Sequence, residues 1–109
     1  EGIVPFRSTL TFRNRQRIVE FANRNRLPHG ANQVEFVEAG GLFSYGANTV
    51  ETNLQSFEYV DKVLRGANPA ELPVERPARY ELAVNLKTAG ALELAVPRSI
   101  LLRADRVIE

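Results

Sequence analysis

Glu38-Ala39-Gly40-Gly41-Leu42-Phe43-Ser44-Tyr45-Gly46-Ala47-Asn48 is the stretch around which the rest of the chain is organised. Paired glycines lead into a short apolar run, the run closes on Ser-Tyr-Gly, and an Asn opens an amphipathic segment. In α/β proteins ligands sit at the carboxyl ends of strands, where a strand gives way to a loop and a helix N-terminus. Leu42–Tyr45 followed by Gly46–Asn48 has that layout. Glycine lets the backbone approach a ligand or take positive φ, and Ser44 and Tyr45 supply hydroxyls. A Gly-flanked buried strand carries the same signature, so pattern alone favours a structural role.

Downstream, the spacing predicts a helix over Thr49–Arg65. Asn48 caps it, with Glu51 three residues on in an Asn-x-x-Glu variant of the capping box. Val50, Leu54, Phe57, Val60 and Leu64 recur at spacings of three and four, a stripe expected to face a core. Gly66 is the expected C′ residue and Asn68-Pro69 prevents continuation. Pro69, Pro73 and Pro77 then mark an extended connector over 67–79. Arg79–Leu86 alternates, with Tyr80, Leu82, Val84 and Leu86 on one side and Glu81, Ala83 and Asn85 on the other, and reads as a strand. Lys87–Leu94 is predicted as a short helix. After Pro97, Arg98–Ile108 is predicted as a last helix with Ile100, Leu101, Ala104, Val107 and Ile108 inward.

Upstream, Ile3-Val4 is a strand remnant before Pro5. Residues 11–26 read as one helix, with Ile18, Val19 and Ala22 on one arc and Phe12 and Phe21 at its edges. Arg13, Arg17 and Arg24 lie opposite, and Glu20 is within ion-pair reach of Arg17 and Arg24. Arg15 and Arg26 border the apolar arc, where their stems cover it. Leu27-Pro28 ends the helix, and His29–Asn32 is a loop or a very short strand. His29, the only histidine, is placed in a surface loop, because no spacing supplies a metal set or an acid–base partner. Val34–Ala39 is a single helical turn.

The 109 residues, 44% hydrophobic and 25% charged, fit one α/β segment. No apolar run reaches the roughly 20 residues that cross a bilayer. The chain starts at Glu1 and contains no Met, so it reads as a piece of something longer. Cys is absent, which excludes disulfides and thiolate metal sites. The net charge of +1 is too near neutral to imply a nucleic-acid or membrane partner. The acids are scattered, and no phosphate cradle or nucleophile elbow is present; Gly41-Leu-Phe-Ser-Tyr-Gly46 has the wrong spacing for the latter. The chain is read as no enzyme, with no cofactor and no metal.

With these stretches laid out, the chain resembles the C-terminal third of the bacterial ABC-transporter substrate-binding proteins of the tryptophan and tyrosine type. The resemblance rests on Arg17-Ile-Val-Glu20 with Asn25-Arg-Leu-Pro28, and on Phe36-Val-Glu-Ala-Gly-Gly-Leu-Phe-Ser-Tyr-Gly46. It continues through Tyr59–Glu75 with its Leu-Pro-Val-Glu connector, Tyr80–Ala89 with Asn-Leu-Lys-Thr-Ala, and Arg103–Glu109. It implies part of a type I periplasmic-binding-protein-like bilobal fold, three-layered with a mostly parallel sheet. Interlobe crossings are then expected near 38–48 and 67–79. By the same analogy Ser44, Tyr45, Gly46 and Asn48 bind a small polar or amino-acid-like solute, which an ABC permease receives. A periplasmic or exported location is also implied. Three positions depart from the family pattern: Ala47 for Pro, Asn53-Leu54 for a Tyr-Arg pair, and Glu93 for a glycine that closes the short helix. The second departure argues against an aromatic ligand in particular. Two alternatives stand beside this reading. One is a self-associating α/β module that pairs copies through uncovered surface such as Tyr80/Leu82/Val84. The other is nucleic-acid binding through the Arg-rich helix.

Overall fold

The computed structural model describes residues 1–77 and 79–109, so residue 78 of the expected connector lies outside the described residues. The elements run α1 (Thr9–Arg13), α2 (Arg15–Arg24), β1 (Gly30–Ala31), α3 (Val34–Glu38), β2 (Phe43–Ala47), α4 (Thr49–Leu64), a 3₁₀ turn (Pro69–Glu71), β3 (Tyr80–Asn85), α5 (Leu86–Ala91), α6 (Arg98–Leu101) and β4 (Arg106–Ile108). Two compact units result: Glu1–Gly46 with Glu81–Glu109, and Ala47–Tyr80.

In the first unit the strands form a four-stranded sheet in the order β1-β2-β3-β4. β1 and β2 are parallel, with Gly30 opposite Phe43 and Ala31 opposite Ser44. β3 and β4 are also parallel, from Ala83 opposite Arg106 to Asn85 opposite Ile108. The Asn85 N–H donates to the Leu42 carbonyl at 2.8 Å, tying the end of β3 to the entry of β2. The expected strand remnant at Ile3 is a single parallel bridge to His29.

The helix expected over 11–26 is two helices. Asn14 closes α1 and precedes α2 at φ −98°, ψ 14°. Its side chain donates to the Leu10 carbonyl at 2.9 Å, a local bond that competes with helix continuation. Ser8 and Thr11 cap α1 reciprocally, Thr11 standing where a capping box usually has Glu. The buried arc is as the periodicity requires: Val19 and Ala22 are buried, and Val19 joins Ala31 and Phe36 in the core. Phe21, expected at the edge of that arc, is exposed. Arg15 covers Phe12, its guanidinium 4.6 Å from the ring centroid. Glu20 accepts from Gln16 at 3.2 Å.

β3 departs from simple alternation. Ala83, Val84 and Asn85 are all buried, because this interior strand is covered on both faces at its carboxyl end. Val84 therefore does not belong to an uncovered surface, though Tyr80 stays exposed. The last predicted helix is also corrected. Only Arg98–Leu101 is helical, and Arg106–Ile108 is strand. The switch is driven by pairing across the sheet: Asp105 N–H donates to Leu82 O at 2.8 Å, and Leu82 N–H to Asp105 Oδ2 at 2.9 Å. An apolar set that fits a helical period fits a strand equally when it is this short.

In the second unit α4 matches its predicted bounds within a residue. Asn48 Oδ1 accepts from the Val50 and Glu51 amides at 2.9 and 3.1 Å. The expected core-facing stripe is not buried, however. Val50, Leu54, Phe57, Val60 and Leu64 are 53–81% exposed, and no residue of α4 is buried. The 3.6-residue period identifies an apolar face but not what covers it, and among the described residues nothing does. The connector opens with the 3₁₀ turn, which Asn68 caps through the Ala70 amide at 3.1 Å. Beyond it the Tyr59 hydroxyl donates to the Pro73 carbonyl.

Candidate functional site

The paired glycines are built as a helix stop. The Gly40 amide bonds to Val37 O at 3.0 Å and the Gly41 amide to Phe36 O at 2.8 Å, the two bonds of a Schellman turn ending α3. Gly40 takes φ +106°, which only glycine adopts at no cost. Its carbonyl accepts from Asn23 Nδ2 at 3.0 Å and from Thr88 Oγ1 at 2.9 Å. Asn85 completes the network: its Oδ1 accepts from the Thr88 amide at 3.0 Å, and its Nδ2 donates to Val37 O at 3.3 Å. The Gly-Gly and Asn-Leu-Lys-Thr segments, 48 positions apart, thus meet at one carbonyl.

The four residues singled out in the sequence take different places. Ser44 is 2% exposed and Tyr45 59% exposed, because successive strand residues point to opposite faces. Gly46 lies so close to the end of β1 that a Cβ there would sit 2.0 Å from the Asn32 carbonyl oxygen. Packing alone therefore demands glycine at this position. Asn48 caps α4 with its side-chain oxygen.

His29 was expected in a surface loop and is instead fully buried. Its ring stacks on Phe36, with centroids 5.4 Å apart, and neither ring nitrogen has a hydrogen-bond partner. The parallel bridge with Ile3 and the bonds from the Leu42 and Phe43 amides to its carbonyl draw it into the sheet. Burial pushes its pKa below the ordinary 6.5, against a smaller upward effect of the residue's own backbone.

A polar cavity that the sequence did not flag opens where β1 ends. It has a volume of 470 Å³ and is lined by Arg7, Ser8, Thr9, Phe12 and Gln33. Gln33 Oε1 is buried without a partner, and so is Glu35 Oε2 two residues on. The available signal was the polar pair Asn32-Gln33 directly after a short strand. A second cavity in the same unit, of 380 Å³, is walled by apolar side chains including Leu42, Phe43, Leu82 and Val84, and suits no polar solute. Among the described residues no group of three or more His, Cys, Asp or Glu is placed to hold a metal, and no helix is long and apolar enough to cross a membrane.

A family model described as ABC transporter substrate binding protein matches residues 2–108. Among curated proteins, none matches the chain by sequence. Similar solved structures include an ABC domain in complex with L-Trp from Streptococcus pneumoniae (TM-score 0.90, 25% identity, covering 98% of this chain and 36% of that one). A conserved domain protein from Vibrio cholerae matches with TM-score 0.90 at 24% identity, over 97% of this chain and 36% of that one. A ligand-free, open substrate-binding protein with adhesive properties from Clostridium difficile matches with TM-score 0.62 at 23% identity, over 93% and 34%. The chain thus spans about a third of the length of these neighbours. The mixed α/β architecture and mostly parallel sheet expected from the resemblance are present. The family is one of binding proteins rather than enzymes, and this chain, matched over nearly its whole length, belongs to the ABC transporter substrate-binding proteins.

Proposed function

We propose that this chain contributes to a solute-binding protein of an ABC importer, which takes up a small polar or amino-acid-like ligand between two lobes and delivers it to a permease outside the cytoplasm. The observation that carries the reading is the family match over residues 2–108. The L-Trp bound to the pneumococcal neighbour supports an amino-acid-like ligand. Tyr45, more than half exposed, is the residue of the Ser44–Gly46 stretch best disposed to stack on a flat solute. The passages out of and back into the first unit, at Gly46 and Glu81, are read as the lobe crossings. A thermal-shift screen of the intact protein against amino acids and small polar solutes tests the reading. Stabilisation by a member of that class is expected, and a flat response across the class contradicts it.

Self-association is a second reading, favoured by the exposed stripe on α4. One flank of that stripe carries Glu51 in the first turn of α4 and Lys62 in its last turn. An antiparallel second copy therefore sets Glu51 beside the basic end of its mate. Sedimentation that shows a monomer at all concentrations contradicts this reading.

A further inference from the structure

α4 is built inside out. Its partly buried residues are Thr49, Thr52, Gln55 and Tyr59, all polar, recurring at spacings of three and four along one face. That face meets the connector of its own unit: Tyr59 donates to the Pro73 carbonyl, and Thr52, Gln55 and Tyr59 line one cavity with Leu72 and Pro73. At 100° per residue the stripe from Val50 to Leu64 falls on the opposite side, and its five residues are 53–81% exposed. Open apolar surface of this extent, roughly 500 Å², is at the upper end of what a monomer leaves uncovered and marks an interaction surface.

We infer that this stripe packs into a second lobe, formed by the part of the protein that corresponds to the other two-thirds of the neighbours' length. This rests on the two-lobe reading above and assigns α4 as the contact. The chain aligns over 97% and 98% of its length with two solved structures and covers only 36% of each. The same fold therefore occurs there beside nearly twice its own length of further chain. A second copy is the poorer occupant. A stable complex of separate chains buries about 800 Å² per partner, because it must offset lost translational and rotational freedom. A lobe of the same polypeptide is already tethered and needs less area. The charges at the end of the helix call for no mate either: Arg65 pairs with Asp61 at 2.9 Å, and Lys62 lies over the Tyr59 ring, 5.4 Å from its centroid.

Thiol labelling of the intact protein tests the assignment, with Leu54→Cys and Phe57→Cys made singly in a stretch that has no cysteine of its own. Both thiols are expected to react about 100-fold or more slowly than a free thiol, at every protein concentration. Phe57→Asp is expected to lower the melting temperature of the intact protein by about 5 °C or more without changing its mass in solution, whereas an exposed phenylalanine tolerates the change. Labelling at close to the free-thiol rate overturns the inference. So does protection that disappears on dilution together with a fall from dimer to monomer mass, the mark of a second copy. Protected thiols with a flat solute screen remove solute binding and leave the lobe contact; open thiols with saturable solute binding do the reverse.

Discussion

Thr88 Oγ1 donates to the Gly40 carbonyl at 2.9 Å, across 48 positions of sequence, and shares that acceptor with Asn23 Nδ2. The helix stop before β2 and the first turn of α5 are thereby fixed to one another. A bond of this kind contributes about 1 kcal/mol, and a donor of matching shape is needed to keep it. Thr88→Val should lower unfolding free energy by about that amount in denaturant titration, while Thr88→Ser retains most of it.

Glu93 adopts φ +58° at the end of α5, where its amide bonds to Gly90 O at 3.0 Å and the Leu94 amide to Ala89 O at 2.9 Å. This is the same Schellman turn that Gly40 makes, performed here by a residue with a Cβ. Left-handed backbone costs a non-glycine residue roughly 1–2 kcal/mol, partly offset by the extra freedom glycine gives the unfolded chain. Glu93→Gly is expected to raise stability by about 1 kcal/mol, read as a higher denaturant midpoint with an unchanged slope.

The buried His29 makes stability pH-dependent. Its folded pKa lies below 6.5, so between the two values the unfolded chain binds a proton that the folded chain refuses. This contribution is complete above the unfolded value and is lost as pH falls through the window below it. Melting temperature should therefore drop on acidification below about pH 6.5, and His29→Phe should flatten that limb.

Gly46→Ala places a methyl group 2.0 Å from the Asn32 carbonyl, where backbone must shift. A loss of about 1–3 kcal/mol is expected by thermal or chemical unfolding.

Elements set by local chemistry were legible in the sequence. α4 announced itself through Asn48, its apolar period and Gly66, and α3 through the glycines that end it. Features decided by distant partners were not. Arg106–Ile108 becomes strand because β3 pairs with it, and His29 goes inside because β1 and Ile3 carry it into the sheet. The α4 stripe shows the same limit: periodicity marks an apolar face without revealing its cover. At the candidate site, Ser44 and Tyr45 are neighbours in sequence but lie on opposite faces of β2, one buried and one exposed. The cavity at Arg7 and Gln33 joins residues 26 positions apart, a proximity that no spacing rule encodes.

Calorimetric titration of the intact protein with the best-stabilising amino-acid-like solute tests the central claim most directly, comparing the unsubstituted chain with Tyr45→Ala. The account predicts saturable binding of one solute per protein, weakened about tenfold or more by loss of the ring. Heat that never rises above dilution for any solute of this class would contradict it.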